Sequence, residues 1–109
     1  MAFDAQLAER IRARLKTQAG VTEKKMFGGL SFLMNGNMCC GVHGDEMIAR
    51  LAQDDGERAL SEPHTRRFDL TGRPMKGWIL VGPAGLAADA DLGRWVDRAA
   101  GYAASLPPK

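Results

Sequence analysis

Long apolar runs are missing from this 109-residue chain. A membrane-spanning helix needs about 18 consecutive apolar residues, and no stretch approaches that length. The opening MAFDAQLAER has no apolar segment behind a basic start, so no signal peptide is legible and a cytoplasmic protein is expected. Cysteine is scarce as well. Cys39 and Cys40 are adjacent; on a regular strand they would point to opposite faces, so a disulfide framework is excluded. Charge of one sign is not in excess: 15 basic and 13 acidic residues leave a net charge of +2, too little to argue for nucleic acid alone. Aromatics make up 6%, and few interleave with the basic residues, which disfavours a base-stacking platform. Repeats, linkers and low-complexity segments are also lacking, and residues 1–109 read as a single domain.

What is present is an ordinary globular balance, 45% hydrophobic and 26% charged, organised around residues 24–51. Asn35-Gly36 lies between apolar runs and suits a type I′ hairpin turn, whose two central residues need positive φ. Such a turn sets Met34 opposite Asn37, Leu33 opposite Met38, Phe32 opposite Cys39 and Ser31 opposite Cys40. A second turn at Gly44-Asp45 sets His43 opposite Glu46, Val42 opposite Met47, Gly41 opposite Ile48 and Cys40 opposite Ala49. Side chains alternate between faces. One face then carries Leu33, Met38, Cys40, Val42, Met47, Ala49 and Leu51, and is expected to lie under helices. The other carries Leu30, Phe32, Met34, Cys39, Gly41, Ile48, Glu46 and Arg50; it could meet water, a partner or a second copy of the chain.

Helices flank this meander. Phe3, Leu7, Ala8, Ile11 and Leu15 form an apolar stripe behind an Asp4 N-cap, and Gly20 offers a stop, so the spacing predicts a helix over 4–19. Val21 to Phe27 reads as a first strand. Asp54 with Glu57 marks a short helix that Pro63 ends. RRFDL and, after Thr71-Gly72, MKGWILV read as two strands, with Pro74 keeping the start of the second at an edge. Asp89 is the expected N-cap of a last helix with the stripe Leu92, Trp95, Val96, Ala99, Ala103 and Leu106. Runs of antiparallel strands between helices define an α+β fold: an antiparallel sheet of about five to six strands, with helices at the N-terminus, middle and C-terminus.

No catalytic constellation stands out. Gly28-Gly29 lacks the following helix, the Lys-Ser/Thr pair and the third glycine of a phosphate loop, and reads as a bulge or tight turn. Cys39 with His43 as base would make a thiol nucleophile, but four residues of strand separate them by about 13 Å. Cys39, Cys40, His43 and His64 are the whole Cys/His supply for zinc, and the cysteines diverge, so no metal or cofactor is expected. Asp45-Glu46 and Asp54-Asp55 suit a turn and a helix start. Arg10/Arg14 and Arg12/Lys16 lie on two stripes of the first helix, a solvated pattern rather than one aimed at phosphates. Trp95 falls on an apolar stripe, whereas Trp78, beside Lys76 and Gly77, is the better exposed contact residue.

Lys25-Met26-Phe27-Gly28-Gly29, the Asn-Gly hairpin and Arg73-Pro74-Met75-Lys76-Gly77-Trp78 together resemble the TfoX/Sxy N-terminal domain family over nearly the whole chain. The resemblance implies a compact antiparallel α+β domain similar to secretion-chaperone-like and YjbR-type proteins. Full-length regulators of that family act as coactivators of competence genes alongside a cyclic-AMP receptor protein and carry a second domain. This chain ends after the first, so a stand-alone member is expected. The implied role is a non-enzymatic regulatory or protein-interaction domain with weak or no direct nucleic-acid binding, no membrane association and room for a homodimer. A small-molecule or nucleic-acid binder using the basic residues near both motifs is the second reading, and a cysteine-dependent enzyme the third. Lys25, Met26, Phe27, Gly28 and Gly29 with Met75, Lys76, Gly77 and Trp78 form the candidate partner site. Glycine admits close backbone approach, Met and Trp supply adaptable contact area, and the lysines steer the encounter.

Overall fold

The computed structural model describes residues 3–26, 28–69 and 76–108. Helix α1 (Ala5–Leu15) leads into strands β1 (Val21–Met26), β2 (Gly29–Met34), β3 (Asn37–His43) and β4 (Glu46–Arg50). Helix α2 (Gln53–Ala59), β5 (Thr65–Arg67), β6 (Trp78–Val81) and α3 (Asp89–Ser105) follow. The six strands form one sheet in the order β1-β2-β3-β4-β6-β5, antiparallel throughout, so the fold is α+β. Strands β1 to β4 pair in chain order, each antiparallel to the next. Asn35 and Gly36 both take positive φ, 53° and 84°, as the hairpin turn requires.

The second hairpin has the register expected from Gly44-Asp45, from His43–Glu46 to Cys40–Ala49. The first does not. Met34–Asn37 and Leu33–Met38 pair as expected, but Phe32 then faces Cys40 rather than Cys39, and Ser31 faces Gly41. The register shifts between Phe32 and Leu33, leaving Cys39 as the extra residue of a β-bulge. An unbroken ladder would have set Ser31 beside Cys40 on the core face. The bulge replaces it with Phe32 and brings Leu30 beside Val42.

This re-phasing corrects the expected faces. Leu30, Phe32 and Met34 join Cys40, Val42, Met47, Ala49 and Leu51 in the main core, while Leu33 is only half-buried. Met38 is buried, but in a second cluster with Ile48, Phe68 and Leu80, against which Trp78 packs. The cysteines do not diverge: both are buried in the main core.

Helices α1 and α3 pack against each other and cover the main face. Asp4 caps α1 by accepting from the Gln6 and Leu7 amides at 2.9 and 3.1 Å. The helix stops at Leu15, four residues short of the expected end, and Gly20 takes its positive φ at the start of β1 instead. Helices α2 and α3 begin after Ala52 and Ala88, without a side-chain cap. Asp54 therefore sits inside the first turn of α2, and Asp89 in that of α3, where it is held by Arg10 at 3.0 Å. RRFDL contributes only its arginines to β5, because the ladder to β6 ends at Arg67–Ile79. The expected Thr71-Gly72 turn and Pro74 lie outside the described residues.

Ion pairs fasten the helices. Arg12 reaches Glu23 on β1 at 2.6 Å, Arg14 reaches Asp97 on α3 at 2.5 Å, and Arg94 and Arg98 share Glu62, each at 2.9 Å. The hydrogen bond from Arg12 holds the Glu23 carboxyl below its ordinary value, and Arg14 does the same for Asp97. For Glu62, burial pushes upward, but hydrogen bonds from Arg98 and Arg94 together outweigh it and hold the carboxyl low.

Two outcomes follow. Val42 is fully buried between Leu30 and Met47, so Val42→Ala should cost about 2 kcal/mol in urea unfolding; unchanged stability would contradict its place in the core. The three carboxyls bind protons more weakly folded than unfolded, so their stabilisation is complete above their ordinary values of 4.5 and 3.8 and is lost as pH falls through the lower folded values. The melting temperature should decline below about pH 5, and less steeply in Glu62→Gln, as calorimetry would record.

Candidate functional site

The two glycine motifs occupy different corners of the sheet. Met26 pairs with Gly29, and Leu30 with Val42, which sets the first motif at the His43 end of β3. Trp78 pairs with Arg50 at the far end of β4. The backbones of Gly29 and Trp78 thus stand roughly 13 Å apart along the strands and roughly 14 Å across three strand spacings. The described residues do not bring the motifs into one compact site. Phe27, Met75 and the Met26 side chain lie outside those residues. Lys25 and Lys76 are exposed, each at its own corner.

The glycines have structural work at both corners. A Cβ on Gly29 would overlap the carbonyl oxygen of Val42, whereas one on Gly28 would meet only the His43 ring, at 3.9 Å. Gly28 is held instead by its φ of 75°. Gly77, at φ 86°, accepts a hydrogen bond from the Leu51 amide at 2.8 Å, and Gly56 of α2 lies directly against it.

Trp78 is partly exposed. Its ring meets Phe68 at 5.3 Å and 45°, and the Arg50 guanidinium lies over it at 5.5 Å. The same guanidinium lies 5.6 Å over the ring of Tyr102, from the last turns of α3. Alternation placed Arg50 on the face away from the main core, but nothing in the sequence joined it to Tyr102. That contact requires α3 to end beside the C-terminal end of β4. Trp95, by contrast, is buried, with Arg94 and Arg98 over its ring at 4.8 and 4.7 Å.

The first-helix arginines read as a solvated pattern are paired at the surface, and so are most others. Arg10, Arg12, Arg14, Arg58, Arg66, Arg67, Arg94 and Arg98 each pair with a carboxylate. Arg10 also donates to the Leu86 carbonyl at 2.8 Å, across a cleft of about 320 Å³ between α1 and the segment before α3. Asp4 and Asp89 on its wall already serve as helix cap and Arg10 partner.

At the buried thiols, the hydrogen bond to Cys39 and burial both push Cys40 well above its ordinary value, while the same hydrogen bond lowers Cys39 against the upward push of burial; both lie inside the core rather than in the open, electropositive site an activated thiol needs. Among the described residues, no group of three or more His, Cys, Asp or Glu could hold a metal ion. No helix among them is long and apolar enough to cross a membrane.

An antiparallel six-stranded sheet with two helices on one face and an Arg-aromatic corner at one end defines a small α+β domain. The TfoX N-terminal domain model matches residues 13–103, and the chain belongs to that family. No curated protein and no solved structure matches it.

The glycine geometry separates two neighbouring substitutions. Gly29→Ala should cost more than about 3 kcal/mol, because backbone cannot yield as a side chain can. Gly28→Ala should cost only about 1 to 2 kcal/mol, the left-handed penalty. Equal losses in urea unfolding would refute the close approach at Gly29.

Proposed function

We propose that this chain is a non-enzymatic regulatory or interaction domain that docks a protein partner through the corner around Trp78. The observation that carries this reading is the partial exposure of Trp78, a large aromatic over a buried apolar cluster, with exposed Lys76 beside it. Partly exposed aromatics in well-packed surroundings supply most of the energy of protein interfaces. Pairing of most arginines inside the fold leaves little unpaired guanidinium for a phosphate backbone, which favours a protein over duplex DNA. In a family whose full-length members regulate transcription of competence genes, such docking would be the route to a regulatory role.

Immobilised wild-type and Trp78→Ala chains, compared by quantitative capture from lysate, test the reading. Trp78→Ala should weaken partner capture by more than its loss of packing on Phe68 lowers stability. Lys76→Ala should slow association and reduce its salt dependence. In fluorescence anisotropy the chain should bind duplex DNA weakly and without a steep salt slope. Equal capture by Trp78→Ala, or tight and strongly salt-dependent DNA binding, would overturn the proposal.

A further inference from the structure

Arg50 is set apart from the other arginines of the fold. Among the nine described, the other eight each hold a carboxylate, whereas the contacts of Arg50 are two ring faces, Trp78 at 5.5 Å and Tyr102 at 5.6 Å. No described carboxylate pairs with it. A guanidinium keeps its N–H donors in its own plane, and a ring face neutralises none of their charge. The two rings come from separate elements, β6 and α3, and Arg50 from a third, β4, so the fold itself fixes the position of the charge. Arg50, Trp78 and Tyr102 are each partly exposed. The result is a cation already held in place, stripped of part of its water, with its fork of donors unmatched by any carboxylate among the described residues.

We infer that Arg50, held over Trp78 and Tyr102, is a receptor for a carboxylate side chain on an acidic segment of a protein partner, an inference that rests on the docking role proposed for Trp78. The planar fork donates to the two oxygens of a carboxylate side by side, as Arg12 does to Glu23 at 2.6 and 2.7 Å elsewhere in this chain. A phosphate dianion is matched better by several cations converging on it, and no second arginine among the described residues is left unpaired to join Arg50. The aromatic rims add apolar contact for the methylenes of a glutamate and neighbouring side chains, which free acetate or phosphate would not use. Acidic residues on the partner would also be drawn by the exposed Lys76 nearby in sequence to Trp78.

The test is a titration of the full chain with a tetraglutamate peptide, followed by NMR at the Arg50 Nε–H, the Trp78 indole N–H and the Tyr102 ring. Saturable shifts at these three groups are expected, with affinity reduced about tenfold or more in Arg50→Gln and also in Arg50→Lys, whose ammonium lacks the fork. Equal affinity in Arg50→Gln overturns the assignment. Should that variant fail to fold, Arg50→Lys keeps the charge and decides: unchanged affinity overturns the fork, and a tenfold loss supports it. Inorganic phosphate binding more tightly than the peptide at the same resonances also overturns it. Unmoved resonances in the wild type overturn the carboxylate assignment even where Trp78→Ala still releases the captured partner, a result that leaves the docking role standing.

Discussion

A single extra residue in β3 decides which side chains this protein buries. Without the bulge at Cys39, regular alternation from the Asn35-Gly36 turn would bring Ser31 to the helix-covered face and turn Phe32 away from it. The bulge exchanges them, so that Leu30, Phe32 and Met34 meet Cys40, Val42 and Met47 beneath α1 and α3. The exchange leaves a visible cost: the Ser31 hydroxyl is buried with no hydrogen-bond partner among the described residues. An orphaned buried hydroxyl costs about 1 to 3 kcal/mol, less than leaving a phenylalanine and a leucine outside the core together would cost. The bulge also brings the thiols of Cys39 and Cys40 onto the same side, where they are packed as small apolar groups rather than presented for chemistry.

With the helices assigned to one face, the charge pattern follows. Arg12 and Arg14 of α1 tie it to β1 and α3, and Glu62, just beyond α2, gathers Arg94 and Arg98 from α3. A nearly neutral chain with many arginines thus presents little unpaired guanidinium. Against that background, Arg50 is exceptional because its partners are π faces, which hold a cation without neutralising it. The corner with Trp78 therefore combines the two features that protein interfaces concentrate, a large aromatic and a charge with donors to offer. The two glycines of the other motif are accounted for by geometry: Gly29 lets β2 approach the Val42 carbonyl, and Gly28 supplies a positive φ at the reversal.

Much of this was legible in the residues. Apolar spacing located α1 and α3, Asn-Gly and Gly-Asp located the two hairpins, and the motifs around Gly28-Gly29 and Lys76-Gly77-Trp78 pointed to the family. These signals are local: a turn needs its own φ values, and a helix needs only its own periodicity. The bulge was not legible, because an insertion of one residue changes no local propensity and is settled by what lies across the strand and beneath it. The same holds for the candidate site. Trp78 could be singled out from its glycine and lysine neighbours, but the sequence grouped it with Gly29, which strand order sets at another corner. Its actual companions, Arg50 and Tyr102, lie 28 and 24 positions away in the chain. By itself the sequence determined the elements, the α+β class and the turn geometry, all governed by interactions within a few residues. Only the tertiary structure decided the faces, the pairing of the arginines and the neighbours of Trp78, because those depend on which distant segments exclude water together.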